Sequence, residues 1–193
     1  MRNEDTLNPI SFSHKVKKSY IKLISCLGGS YLFNIFKRNT KIITLESLKK
    51  TVVGEMKKFT IETVKLYSEE KGKICFIAYE YFYDGEVIDI GLRVGLDEER
   101  QLLEESYENE TDVRKHTGDF SFYKPMLREE SCKKNANSLF NCMRLAEKYS
   151  NGSVYKTIQE ISNSLTEEVK DVLWYEYATI SSDFIVLDPF AYD

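Results

Sequence analysis

The sequence predicts an α+β fold, an antiparallel sheet built on a central β-hairpin and packed against several helices. Three observations predict it. A long run of helical periodicity over residues 44–71 leads directly into an apolar, β-branched and aromatic run, KICFIAYEYFYD, at 73–84. Asp84-Gly85 then supplies the two positive-φ residues of a type I′ turn, and residues 87–94 return with partial alternation. The later helical and strand-like runs do not alternate as regular strand–helix–strand units, which separates this class from parallel α/β folds.

With 193 residues and 42% hydrophobic content, the chain has the length of one domain plus an arm and the composition of a folding sequence. Residues 1–12 read as a loose arm broken at Asn8-Pro9. Val16, Tyr20, Leu23, Ile24 and Leu27 follow helical spacing, Gly28-Gly29 interrupts it, and Tyr31, Leu32, Ile35 and Phe36 resume it. This predicts two short helices, or one broken helix, with a basic outer face. The division expected is a basic N-terminal helical arm over 1–40 and one α+β domain over 41–193.

In the long helix Thr44 is the expected N-cap, and Glu46 lies in the first turn, where a carboxylate favours the helix dipole. Leu45, Leu48, Val52, Met56, Phe59, Val64 and Tyr67 form the inward stripe. Gly54 weakens the interior by about 1 kcal/mol relative to Ala, and Gly72 is placed to end the helix in a left-handed conformation. In the hairpin, Phe76, Ala78 and Glu80 share one face, while Ile77, Tyr79 and Tyr81 share the other. Gly91 and Gly95 continue a strand pattern and lack the lysine and helix start of a phosphate loop, so they read as a bulge or strand end.

Residues 97–107 predict a strongly acidic helix, with Glu98, Glu99, Glu104 and Glu105 followed by Glu108. A short strand is expected near 119–123, and Pro125 in the first turn of a helix reaching about Tyr149. Asn151-Gly152 breaks the chain, and Ser153 caps a helix using Val154, Ile158, Ile161 and Leu165, with Thr166 capping a further turn. Residues 183–187 are a closing strand stopped by Asp188-Pro189. The rings at 174–177 (WYEY) fit a core beside that strand, or a stacking surface for a base or sugar.

Charge is unevenly distributed. Residues 1–60 hold twelve Lys/Arg against four Asp/Glu, so with an overall charge of −4 the remainder carries −12. Such a split marks an interaction surface or simple solubilisation. The four cysteines, Cys26, Cys75, Cys132 and Cys142, are widely spaced with no C-x-x-C pair, and Cys75 and Cys142 fit apolar positions as reduced thiols. The longest mainly apolar stretch, 21–36, is too short and too interrupted to span a bilayer. Met1-Arg2-Asn3-Glu4-Asp5 is not the start of a secretory signal, and a cytoplasmic protein is expected.

The sequence offers little catalytic chemistry. Only His14 and His116 are available as histidine proton carriers, and Asp119 is placed to orient His116 in a loop. Zinc-protease, P-loop, nucleophile-elbow and dinucleotide motifs are missing. A carboxylate pair such as Glu98 with Asp112 is the remaining acid/base or metal candidate. No catalytic residue, metal ligand or cofactor is assigned.

The order of a helix over 45–70, ICFIAYEYFYDGE at 74–86, LRVGLDEE at 92–99 and SDFIVL at 182–187 resembles a bacterial domain family found among immunity proteins of polymorphic toxin systems. The resemblance covers residues 44–188 and leaves the basic N-terminal forty outside. It implies a non-enzymatic protein that binds and neutralises a cognate toxin, with no catalytic residues to carry over. Combined with the charge split, it points to a basic protein partner, such as a nuclease toxin with a positive substrate surface. Glu98, Glu99, Glu104, Glu105 and Glu108 are the expected partner-binding residues. Two alternatives stay open: an enzyme with its site near His116 and Asp119, and a membrane-surface or, less favoured, nucleic-acid binder using the basic N-terminal segment.

Overall fold

The computed structural model describes residues 44–83, 88–107, 112–150 and 152–187. The N-terminal arm with His14 and Cys26, the Asp84-Gly85 turn, Glu108 and the Asp188-Pro189 stop lie outside the described residues.

Helix α1 spans Leu45–Lys71, and its start follows from Thr44. The Thr44 hydroxyl accepts the Ser47 N–H at 3.1 Å, and the Ser47 hydroxyl accepts the Thr44 N–H at 3.0 Å, satisfying two amides that the helix itself leaves open. The end follows from Gly72, whose φ of +112° is accessible to a residue without Cβ. Strands β1 (Ile74–Tyr83) and β2 (Ile88–Leu96) come next and pair antiparallel in the register Ile77↔Val94, Tyr79↔Leu92 and Tyr81↔Ile90. Helix α2 (Asp97–Ser106), two 3-10 turns at Val113–Lys115 and Thr117–Asp119, and strand β3 (Phe122–Pro125) follow. Helices α3 (Glu130–Ser150) and α4 (Val154–Lys170), a 3-10 turn at Trp174–Glu176 and strand β4 (Ile180–Leu187) complete the described chain.

The sheet order is β3-β2-β1-β4. The hairpin is central, as the sequence predicts, and the fold is α+β. The sheet is mixed, however, because β4 runs parallel to β1 while the other pairs are antiparallel. Alternation in the hairpin divides the core in two. Ile77, Tyr79, Ile90, Leu92 and Val94 point to the side covered by α1, α3 and α4, in one cluster with Val52, Met56, Leu139, Ile158 and Leu165. Cys75, Phe76 and Ala78 point to the opposite side, in a smaller cluster with Phe120 and Leu187, against which Leu103 of α2 packs.

Three expectations are corrected. Pro125 does not open a helix: it ends edge strand β3 opposite Gly91, where its missing N–H costs no ladder bond, and α3 begins at Glu130. Thr166 does not cap a new turn: α4 continues through it, and Thr166 is buried at 1% exposure on the inward face that Ser162 shares. Its position four residues after Ser162 satisfies helical spacing better than a break does. The short strand begins at Phe122 and not 119, because the Thr117–Asp119 turn takes the preceding residues.

Candidate functional site: the acidic helix and the second sheet face

Helix α2 lies on the less covered side of the sheet, and none of its residues is fully buried. Its inner side is held by polar contacts. The Glu99 carboxylate accepts the Leu96 N–H at 3.2 Å and the Ser121 N–H at 3.1 Å, so it caps the helix and ties it to the chain leading into β3. Arg100 reaches Asp97 at 2.6 Å and also pairs with Asp183 of β4. Arg114 grips Asp112 through two nitrogens at 2.8 and 2.9 Å and donates to the Asp183 carbonyl at 2.6 Å.

A bulge explains how an edge strand supplies this aspartate. Ile74 pairs with Ile180 but Phe76 pairs with Ile185, so extra residues of β4 loop out opposite Cys75 and aim Asp183 at both arginines. The Arg114 guanidinium beside Asp112 holds that carboxyl below its ordinary range. At Asp183, burial pushes upward but is outweighed by the Ser181 hydroxyl and Arg100, leaving a lowered value. Cys75 beneath the bulge is fully buried, and burial pushes its thiol up to about 12. At neutral pH it is a protonated thiol and a poor nucleophile.

The outer side of α2 is different. Glu98, Leu102 and Glu105 stand four and three residues apart, on one stripe of the helix. Glu98 and Glu105 are exposed, and Leu102 is 65% exposed between them. Glu104 is exposed too, with one oxygen 3.8 Å from Arg100 Nε. Of the five glutamates expected at a partner surface, Glu98, Glu104 and Glu105 therefore face outward. Glu99 is turned inward as a cap, and Glu108 lies outside the described residues.

The His116 and Asp119 neighbourhood is also on this side. The Tyr107 hydroxyl donates to Asp119 at 2.7 Å, and the Tyr107 ring stacks on the His116 imidazole with centroids 4.7 Å apart. Asp112, the suggested partner of Glu98, is occupied by Arg114. Among the described residues, no group of three or more His, Cys, Asp or Glu is placed to hold a metal ion, and no helix is long and apolar enough to cross a membrane.

Beyond the 3-10 turns, the described residues leave two rings of the second sheet face partly exposed. Arg93 donates to Glu80 at 2.9 Å and to the Phe120 carbonyl at 3.2 Å, and its guanidinium lies 4.7 Å from the centre of the Tyr123 ring. Tyr123 is 42% exposed, and Phe82, on the same face of neighbouring β1, is 50% exposed. Asp89 opposite Phe82 is buried, taking the Leu127 N–H at 3.3 Å and Arg128 at 2.7 Å. Sequence reasoning missed Arg100, Arg114, Asp183, Leu102 and Tyr123. Only Leu102 left a signal: it stands four residues after Glu98 and three before Glu105, on the stripe those two carboxylates share. At 174–177, Trp174 is core and its indole donates to the Val169 carbonyl, whereas Tyr175 and Tyr177 are exposed.

The chain finds no match among family models, curated proteins or solved structures.

Proposed function

We propose that this chain is a non-enzymatic protein-binding module that neutralises a basic protein by covering part of its surface, the partner being a cognate toxin encoded beside it. One observation carries the reading. The outward stripe of α2, Glu98-Leu102-Glu105, holds an exposed leucine between exposed carboxylates, although the helix is secured entirely from its inner side. Among the described residues none buries Leu102 in that position, whereas docking to a partner would. Carboxylates steer a positive partner and fix its orientation, and a central apolar side chain becomes desolvated on docking.

Protection of cells tests the reading. Co-expression with the product of the adjacent gene is expected to rescue growth, and the double variant Glu98→Lys, Glu105→Lys is expected to lose rescue while keeping the wild-type melting temperature. Equal rescue by the folded double variant contradicts it.

A further inference from the structure

The placement of Gly91 in a strand with neighbours on both sides calls for an explanation, because glycine there weakens the strand and packs nothing. A Cβ on Gly91 would stand 2.1 Å from Tyr123 Cε2, so the glycine leaves the room that the tyrosine ring occupies. Gly95 offers an instructive contrast. A Cβ there would meet Phe76 at 2.0 Å, but Phe76 is fully buried, so that pairing builds core. The Gly91 pairing instead fixes a ring that stays 42% exposed, held between the glycine backbone and the Arg93 guanidinium 4.7 Å over the ring. A large amphipathic ring already held in place loses little conformational entropy on binding.

We infer that the exposed rings of this sheet face, Tyr123 and Phe82, are the affinity-determining part of the interface whose charged part is α2. The inference rests on the proposed binding of a basic protein. The two parts are joined through the chain before β3: Glu99 of α2 binds the Ser121 amide, and Arg93 binds the Phe120 carbonyl beside Tyr123. Their charges differ in a way that defines the occupant. Arg93 is matched by Glu80 and Arg128 by Asp89, so the aromatic part is locally neutral, whereas the outer stripe of α2 is acidic. The occupant is therefore a protein surface with lysines or arginines next to an apolar patch, the basic side meeting α2 and the apolar side meeting Tyr123 and Phe82.

Stopped-flow and surface-binding kinetics with the purified product of the adjacent gene and the full chain test this. Tyr123→Ala and Phe82→Ala are each expected to raise the dissociation rate about tenfold, the scale of an interface hot spot, with the association rate nearly unchanged. Gly91→Ala keeps the tyrosine but displaces its ring, and is expected to raise dissociation as well, while Tyr123→Phe stays close to wild type. Melting temperatures are measured for all four, and Phe82→Ala decides if a change at Tyr123 or Gly91 disturbs folding. Wild-type dissociation in folded Phe82→Ala and Tyr123→Ala, together with slower association in Glu98→Lys, Glu105→Lys, overturns the inference and leaves the reading standing. No binding, or association indifferent to the charge reversal, overturns the reading and the inference with it.

Discussion

Glycine positions illustrate how a single missing Cβ acts differently by place. Gly54 is exposed on α1 with nothing within 4 Å of a built Cβ, so Gly54→Ala is expected to stabilise by about 1 kcal/mol through helix propensity alone. Gly95→Ala is expected to destabilise by about 1–3 kcal/mol, since its Cβ collides with the buried Phe76 ring. Thermal or urea denaturation of the two variants checks both signs. Tyr79 is a third instance, buried at 1% exposure with its hydroxyl donating to Thr60, which in turn donates to the Met56 carbonyl. Tyr79→Phe is expected to cost about 1 kcal/mol, the usual net worth of one such bond. What was legible at this scale was local: the Thr44 cap, the Gly72 end, the Ser153 cap and the two hairpin faces depend on neighbours within a few residues. The roles of Gly91 and Gly95 were not, because each depends on an aromatic ring from another strand whose register the sequence does not print.

Among the elements, α2 is the one held mainly by charge. Its Arg100 and the nearby Arg114 share Asp183, and Asp112 and Asp183 are both lowered below the ordinary carboxylate value of 3.8. A carboxyl more acidic in the folded chain stabilises it fully above the unfolded value, and that contribution is lost as pH falls through the lower folded value. Hydrogen exchange of the α2 amides is therefore expected to be pH-insensitive in protection from neutral pH down to about pH 4, and to lose protection below it. Asp112→Asn is expected to weaken that acid response and to reduce protection already at neutral pH. A response unchanged by the substitution would remove Arg114-Asp112 from the clamp. The sequence showed the helix and its acidity but not which acids are spent on folding. Glu99 and Glu98 are chemically identical neighbours; Glu99 caps the helix through the Leu96 N–H, and the Ser121 amide that ties its other oxygen to the chain before β3 lies too far along the sequence to leave a local mark. The same limit explains Pro125 and Thr166, whose local preferences for a helix start and a cap gave way to an edge strand and to a continuous buried helix face.

For the whole molecule, the α+β class and central hairpin followed from pattern, whereas the parallel β4 did not. Its pairing with β1 joins Ile74 to Ile180, a separation across which no local signal carries. Among the described residues one core cluster runs from Leu48 of α1 to Trp174, and removal of residues 1–40 tests the expectation that they form a separate arm. A protein lacking those forty residues is expected to unfold cooperatively and remain monodisperse; insolubility would place Leu23, Leu27, Leu32 and Phe36 in the core. The central claim, that the outward stripe of α2 receives a basic partner, is tested most directly by one kinetic quantity. That quantity is the association rate with the product of the adjacent gene, measured across a range of salt concentrations for wild type and Glu98→Lys, Glu105→Lys. The account predicts a rate that falls steeply with salt in the wild type, and a slower, nearly salt-independent rate in the variant. Rates that respond neither to salt nor to charge reversal would contradict it.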